Sequence, residues 1–181
     1  MESGRVHHDM IREIDQHTFT SEFFDLMAEI ECGDRFDPDR PGHVQWLRDR
    51  IKQRFASGAR FFASYLDDGI PVGFTAIHVD PKLEGVPYIG QYSEIVAMGV
   101  LAKHRRSGHG SRLLEYSEDH ARVQGAYCLY VATYAGAHDT ISFYEKNGFV
   151  RVATLPDVHG PVAEGNLHLR KLLRGSARSP S

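Results

Sequence analysis

The sequence predicts a mixed α/β fold: one sheet of about seven strands with about four helices packed on it, in a single domain. Three observations predict it. Strand-like apolar segments alternate with stretches whose apolar residues recur at helical spacing. Gly-, Pro- and Asp-rich breaks separate them. The 181 residues, 41% hydrophobic and 25% charged, suffice for one core and have the composition of a globular protein.

Arg5 to Ile14 reads as a first strand. Thr20 or Ser21 can cap a helix that carries Phe23, Phe24, Met27 and Ile30 at helical spacing. Gly33 to Gly42 is a Pro- and Asp-rich break, and His43 to Phe55 a second helix. Arg60–Leu66 and Ile70–Val79 flank Asp67-Asp68-Gly69, a hairpin signal. Asp80 to Gly90 is a loop, and Ser93 to Val100 a strongly apolar strand. Ser111 to Gln124 is a third helix with Leu113, Leu114, Ser117 and Ala121 on one face and Gly125 as its stop. Tyr127–Ala132 is a strand, Asp139–Asn147 a short helix, Phe149–Thr154 a strand and Asn166–Leu172 the last. The domain is expected over residues 1–174, with a disordered tail over 175–181.

Composition narrows the function classes. A formal net charge of -3 argues against nucleic acid as the main partner. No apolar run is long enough to cross a bilayer, and MESGRVHHDM lacks a signal peptide's apolar stretch, so no membrane role is expected. Cys32 and Cys128 suggest neither a disulfide framework nor metal-ligand spacing, which makes the reducing cytoplasm the expected compartment. The 11 histidines, with His7 and His8 adjacent, show no ligand spacing either, so no metal is expected.

Chemistry points to Arg105-Arg106-Ser107-Gly108-His109-Gly110 between an apolar strand and a helix. Small residues let the backbone approach a ligand closely, and the unpaired N–H groups opening the helix, with its dipole behind them, suit a pyrophosphate. Arg105 and Arg106 add positive charge that can fork onto phosphate oxygens. It is neither a Walker loop nor a dinucleotide fingerprint, and by itself it reads equally well as a basic turn before a helix.

Its surroundings decide. Arg105-x-x-Gly108-x-Gly110 resembles the acyl-CoA loop of the GNAT acyltransferases, Gln/Arg-x-x-Gly-x-Gly/Ala after an apolar strand. Glu94-Ile95-Val96 begins that strand in the register of the family's histone acetyltransferase branch, and Phe143-Tyr144-Glu145-Lys146-Asn147-Gly148-Phe149 resembles the closing helix-to-strand signature. The likeness spans Glu94 to Val152, about a third of the chain.

The resemblance implies an N-acetyltransferase with acetyl-CoA as cosubstrate and an amine as acceptor. It places pantetheine along the backbone of Met98, Gly99 and Val100, with the Val100 N–H polarising the thioester carbonyl, and the pyrophosphate on Arg105 to Ser111. It makes Glu94 the general base and Tyr144 the general acid for the departing thiolate. The plain alternatives are a strand-end glutamate in an ion pair and an aromatic packed on the sheet. His109 sits at the motif's variable position and reads as a spacer; Cys128 reads as a small buried residue. Many members carry Asn seven residues before the tyrosine. Here that position is Ala137, with His138 or Thr140 as a substitute.

On the acceptor side, the first two helices and the break between them carry Glu22, Asp25, Glu29, Glu31, Asp34, Asp37 and Asp39 against Arg35 and Arg40. Such a patch suits a polycationic amine; a solvated helix face is the favoured alternative. Tyr88 and Tyr92 either line a pocket or pack. By family analogy a small-molecule amine comes first, and a protein lysine or N-terminal amine is the alternative. A homodimer is compatible with the resemblance. A different class, an acyl-CoA-binding sensor without turnover, has only Ala137 in its favour.

Overall fold

The computed structural model describes residues 11–79, 91–156 and 164–173. They contain strands β1 (Ile11–Ile14), β2 (Arg60–Tyr65), β3 (Pro71–Val79), β4 (Tyr92–Val100), β5 (Cys128–Tyr134), β6 (Val150–Leu155) and β7 (Asn166–Leu172). The α-helices are α1 (Ser21–Cys32), α2 (Pro41–Ala56), α3 (His109–Val123) and α4 (His138–Lys146). The sheet is mixed, in the order β1-β2-β3-β4-β5-β7-β6, with β4 and β5 parallel. The predicted class and order of elements are therefore observed. His7, His8, the loop at 80–90 with Tyr88, the domain boundary at 174 and the tail at 175–181 lie outside the described residues. Two compact units emerge, Met1–Ile77 with Ala97–Tyr116, and His78–Val96 with Ser117–Ser181. β4 and α3 supply residues to both.

In the first unit, Thr20 caps α1: its hydroxyl accepts from the Phe23 N–H at 3.3 Å, a contact of the kind worth about 1 kcal/mol. Phe23, Leu26 and Met27 recur at helical spacing and are buried. α2 begins at Pro41, two residues before the predicted His43, because a proline at the first helical position gives up an N–H that would be unpaired anyway. The β2–β3 hairpin closes through Leu66 N–H to Ile70 O at 2.9 Å, with Gly69 at φ +83 and the Asp68 carboxylate accepting from the Ile70 N–H. Phe23 meets Phe74 edge-on at 5.8 Å, and Phe55 lies 4.5 Å from Phe61, which fills the core with ring contacts.

In the second unit, β5 pairs antiparallel with β7 from Cys128↔Leu172 to Tyr134↔Asn166, and β6 pairs with β7 across a register shift at Arg151/Ala153. Ile95, Leu129, Val131, Ile141, Phe149, Leu167 and Leu169 form its core. The predicted apolar face of α3 is buried along its length: Leu113 and Leu114 in the first half, Ser117 and Ala121 in the second. Gly125, at φ +85, ends that helix as expected. Cys128 is fully buried and burial pushes its thiol up, which suits packing rather than chemistry.

Candidate functional site

The ladder from β4 to β5 runs from Tyr92↔Cys128 to Ile95↔Val131, while β4 itself continues to Val100. A central strand is ordinarily covered on both faces. Here Val96, Ala97, Met98 and Gly99 are half-buried in a row, and Val100 is buried. Met98 to Val100 belong to the first unit. At Gly99 a Cβ would stand 2.2 Å from Ile30 Cγ2, so the close approach that the glycine permits is taken by α1.

Beyond β4, Leu101 N–H bonds Val72 O at 2.9 Å and a short 3₁₀ turn covers Ala102–His104. The Arg105 side chain folds back so that Nε donates to Val100 O at 3.1 Å, joining the loop to the strand end. Arg106 has φ 61 and Gly108 φ 86. Arg106 is the one non-glycine residue in the left-handed region among the described residues. A residue held there costs about 1–3 kcal/mol and persists only where its surroundings impose it, and such strain gathers at ligand sites. A left-handed residue next to a right-handed one, or a turn, aims successive N–H groups to one side and makes an anion-binding concavity. α3 then opens. Its first recorded bond at this end is Arg112 N–H to Gly108 O, so the N–H groups of His109, Gly110 and Ser111 have no partner within the helix. Met98, Gly99, Val100 and Arg105 to Ser111 all belong to the first unit.

His109 departs from its reading as a spacer. It is 4% exposed, with Nδ1 2.9 Å from the fully buried Ser64 Oγ and 3.2 Å from Arg112 Nη2. Burial above all, then the charge of Arg112 and the nearby His104, holds its imidazole below the ordinary range. Ser64 and Arg112 escaped the sequence reading. Arg112, three residues beyond His109 on a helix, was the only local signal.

The second unit holds the two residues assigned to proton transfer. Glu94 is half-buried on β4, opposite Tyr130 in the ladder. Tyr144 is 3% exposed in α4, its ring 5.2 Å from that of Phe149, and burial raises its phenol well above the ordinary range. It therefore keeps its proton at neutral pH. Ala137 stands at the N-cap of α4 with no side-chain cap, and His138 and Thr140 are exposed beside it. Tyr92 packs edge-on to Tyr130 at 5.5 Å.

The acidic patch is less available than its composition suggests. Glu31 pairs with the buried Arg54 and with Arg50 at 3.2 Å, whereas Glu22, Asp25 and Glu29 are exposed on α1. A cavity of about 850 Å³ beside α1 and α2 is lined by Phe19, Phe24, Arg48, Ile51, Lys52 and Asp25, among others. Two cations against one carboxylate make it a poor host for an ammonium group. Among the described residues there is no cluster of His, Cys, Asp or Glu fit for a metal, and no helix is long and apolar enough to cross a membrane.

A family model described as the acetyltransferase (GNAT) family matches residues 9–149. No curated protein matches the sequence. Solved structures share the fold. The ribosomal-protein-S18-alanine N-acetyltransferase of Escherichia coli superposes with a TM-score of 0.70 at 15% identity, over 94% of this chain and 97% of that one. The ribosomal-protein-alanine N-acetyltransferase of Brucella melitensis gives 0.64 at 19%, over 90% and 99%. A chain of the NatC complex bound to Gag peptide and CoA gives 0.65 at 17%, over 90% and 97%.

Proposed function

Because the chain belongs to the GNAT acetyltransferase family, and is thereby an acetyl-CoA-dependent acyltransferase, we propose that its acceptor is a primary amine attacking the thioester directly in a ternary complex. The observation that carries the assignment of the cosubstrate site is the left-handed pair Arg106 and Gly108 leading into three amides of α3 without helical partners. That geometry receives a diphosphate, with Arg105 and Arg106 as its countercharge. Met98, Gly99 and Val100 then offer backbone to the pantetheine arm, and the Val100 N–H meets the developing oxyanion.

In the reaction Glu94 takes a proton from the ammonium, the amine lone pair attacks the carbonyl carbon, the carbon–sulfur bond breaks, and the nitrogen releases its second proton to water as the amide forms. Tyr144 passes its proton to the leaving thiolate and regains one from solvent. Burial raises the phenol, so it holds its proton until a base as strong as a newly formed thiolate reaches it. A small-molecule amine is the first choice of acceptor. The second is a protein amine, the acceptor class named for the ribosomal-protein enzymes that share the fold.

Release of CoA thiol, followed against a panel of polyamines, aminoglycosides and short peptides, tests this reading. Turnover on one class selects the acceptor. Acetyl-CoA binding without turnover on any amine would make the chain a sensor instead. Gly108→Pro is expected to abolish acetyl-CoA binding, since proline fixes φ near about −65° where the loop has φ 86. Normal affinity in that variant would contradict the diphosphate site.

Tyr144→Phe keeps the ring that packs on Phe149 and removes only the hydroxyl. Turnover should fall about 10²-fold, the low end for a proton-transfer group, with the melting temperature nearly unchanged. Full activity would reduce Tyr144 to a packing role.

A further inference from the structure

We propose that His109 is a positioning residue for the diphosphate nest, held through a buried hydrogen bond to Ser64 of β2. The proposal rests on the cosubstrate site assigned above. His109 is the first residue of α3, so its backbone N–H is one of the amides offered to the ligand, while its side chain turns inward. Ser64 is fully buried and lies at a register shift of the β2–β3 ladder, between Ser64 and Tyr65. Such bulges re-aim a side chain out of strict alternation.

The proton on the ring can be placed from its partners. Arg112 Nη2 lies 3.2 Å from His109 Nδ1, and a guanidinium only donates. Nδ1 is therefore the lone-pair nitrogen, the ring proton is on Nε2, and the Ser64 hydroxyl also donates to Nδ1 at 2.9 Å, the two donors sharing its single lone pair in a three-centre bond. Arg112 is held in turn: Nη2 reaches Ser107 O at 3.5 Å, and a Cβ on Gly108 would stand 3.6 Å from Nη1. One chain of contacts thus runs from β2 through His109 and Arg112 to the backbone on the N-terminal side of the nest.

The first turn of a helix is its least constrained part, because its amides lack the bonds that fix the turns behind it. Tying the first side chain to a buried strand residue restores that constraint and holds the amides in place before the ligand arrives. Affinity is gained by not having to order them on binding. A protonated imidazole would have no lone pair for Ser64 and Arg112. The titratable and charged groups that face it, Arg112 on α3 and His104 on the 3₁₀ turn, both favour the neutral ring, as burial does.

The test uses the full chain and acetyl-CoA, with affinity read by calorimetry. Ser64→Ala and His109→Leu should each weaken binding about five- to tenfold, the loss of about one hydrogen bond's worth of order, and in Ser64→Ala kcat at saturating acetyl-CoA should stay nearly unchanged. His109→Asn, whose amide oxygen can accept near the place of Nδ1, should stay within about threefold of wild type. The unliganded wild type should also lose melting temperature as pH falls below about 6.5, because its lowered pKa makes the unfolded chain the better proton binder there. His109→Asn should lack that part of the loss. If His109→Leu fails to fold, the milder Ser64→Ala carries the affinity arm. Wild-type affinity in Ser64→Ala, or His109→Asn as weak as His109→Leu, would overturn the inference and leave the cosubstrate site standing. A wild-type chain that does not bind acetyl-CoA removes both.

Discussion

Glu94→Gln should lower kcat about 10²–10⁴-fold at neutral pH while acetyl-CoA affinity stays within error of wild type. An alkylamine titrates near about 10.4, so at pH 7 nearly every acceptor molecule arrives as ammonium, without the lone pair that must attack. Glutamine has the shape of glutamate and none of its basicity. It leaves β4, its ladder position opposite Tyr130 and the backbone of Met98 to Val100 as they are. The deficit should therefore fall on turnover alone. It should also shrink as pH rises toward the amine's own pKa, where solvent has already done the deprotonation. A variant whose pH–rate profile follows wild type would place Glu94 outside the mechanism, as a strand-end carboxylate only.

What the sequence made legible was local. The Thr20 cap, the Asp-Gly turn before Ile70, the α3 face of Leu113, Leu114, Ser117 and Ala121, and its stop at Gly125 each depend on residues within a few positions of one another. Period and cap chemistry suffice for these. The loop proposed as the nest stood out for the same reason, since Arg105 to Ser111 is one continuous stretch. What stayed hidden depends on distant partners. Ser64 meets His109 across 45 positions, and neither an apolar strand reading RFFASY nor a variable loop position announces the bond. Glu31 meets Arg54 across 23 positions, so a run that looks acidic by count is partly neutralised in the fold. Proton-transfer roles for Glu94 and Tyr144 were carried by resemblance, because no spacing rule puts a strand residue and a residue fifty positions later into one reaction.

Gly99→Ala tests the same lesson with a large effect on stability. The sequence assigns this glycine to a ligand's approach, yet the added Cβ would lie 2.2 Å from Ile30 Cγ2 and 3.5 Å from Ile30 Cβ. That methyl sits on a β-branched carbon, close to the α1 backbone, and has few other rotamers to adopt in a helix. The helix or the strand must move. Overpacking of this kind costs about 1–3 kcal/mol, and denaturant melts of the variant should show a loss of that size. Ile30→Ala removes the obstructing methyl and costs stability in its own right, but in the double variant the alanine Cβ meets the remaining Cβ of residue 30 at an ordinary contact of 3.5 Å. The double should then be more stable than the sum of the two single losses predicts, by about 0.5–3 kcal/mol. Acetyl-CoA affinity supplies the functional half of the cycle. If α1 pressing on β4 is what fixes the strand backbone at Met98 to Val100, Gly99→Ala should bind the cosubstrate weakly and Ile30→Ala should restore part of that affinity. Strict additivity in stability would show that Ile30 does not constrain Gly99. Weak binding that Ile30→Ala leaves unrelieved would return the glycine to the ligand.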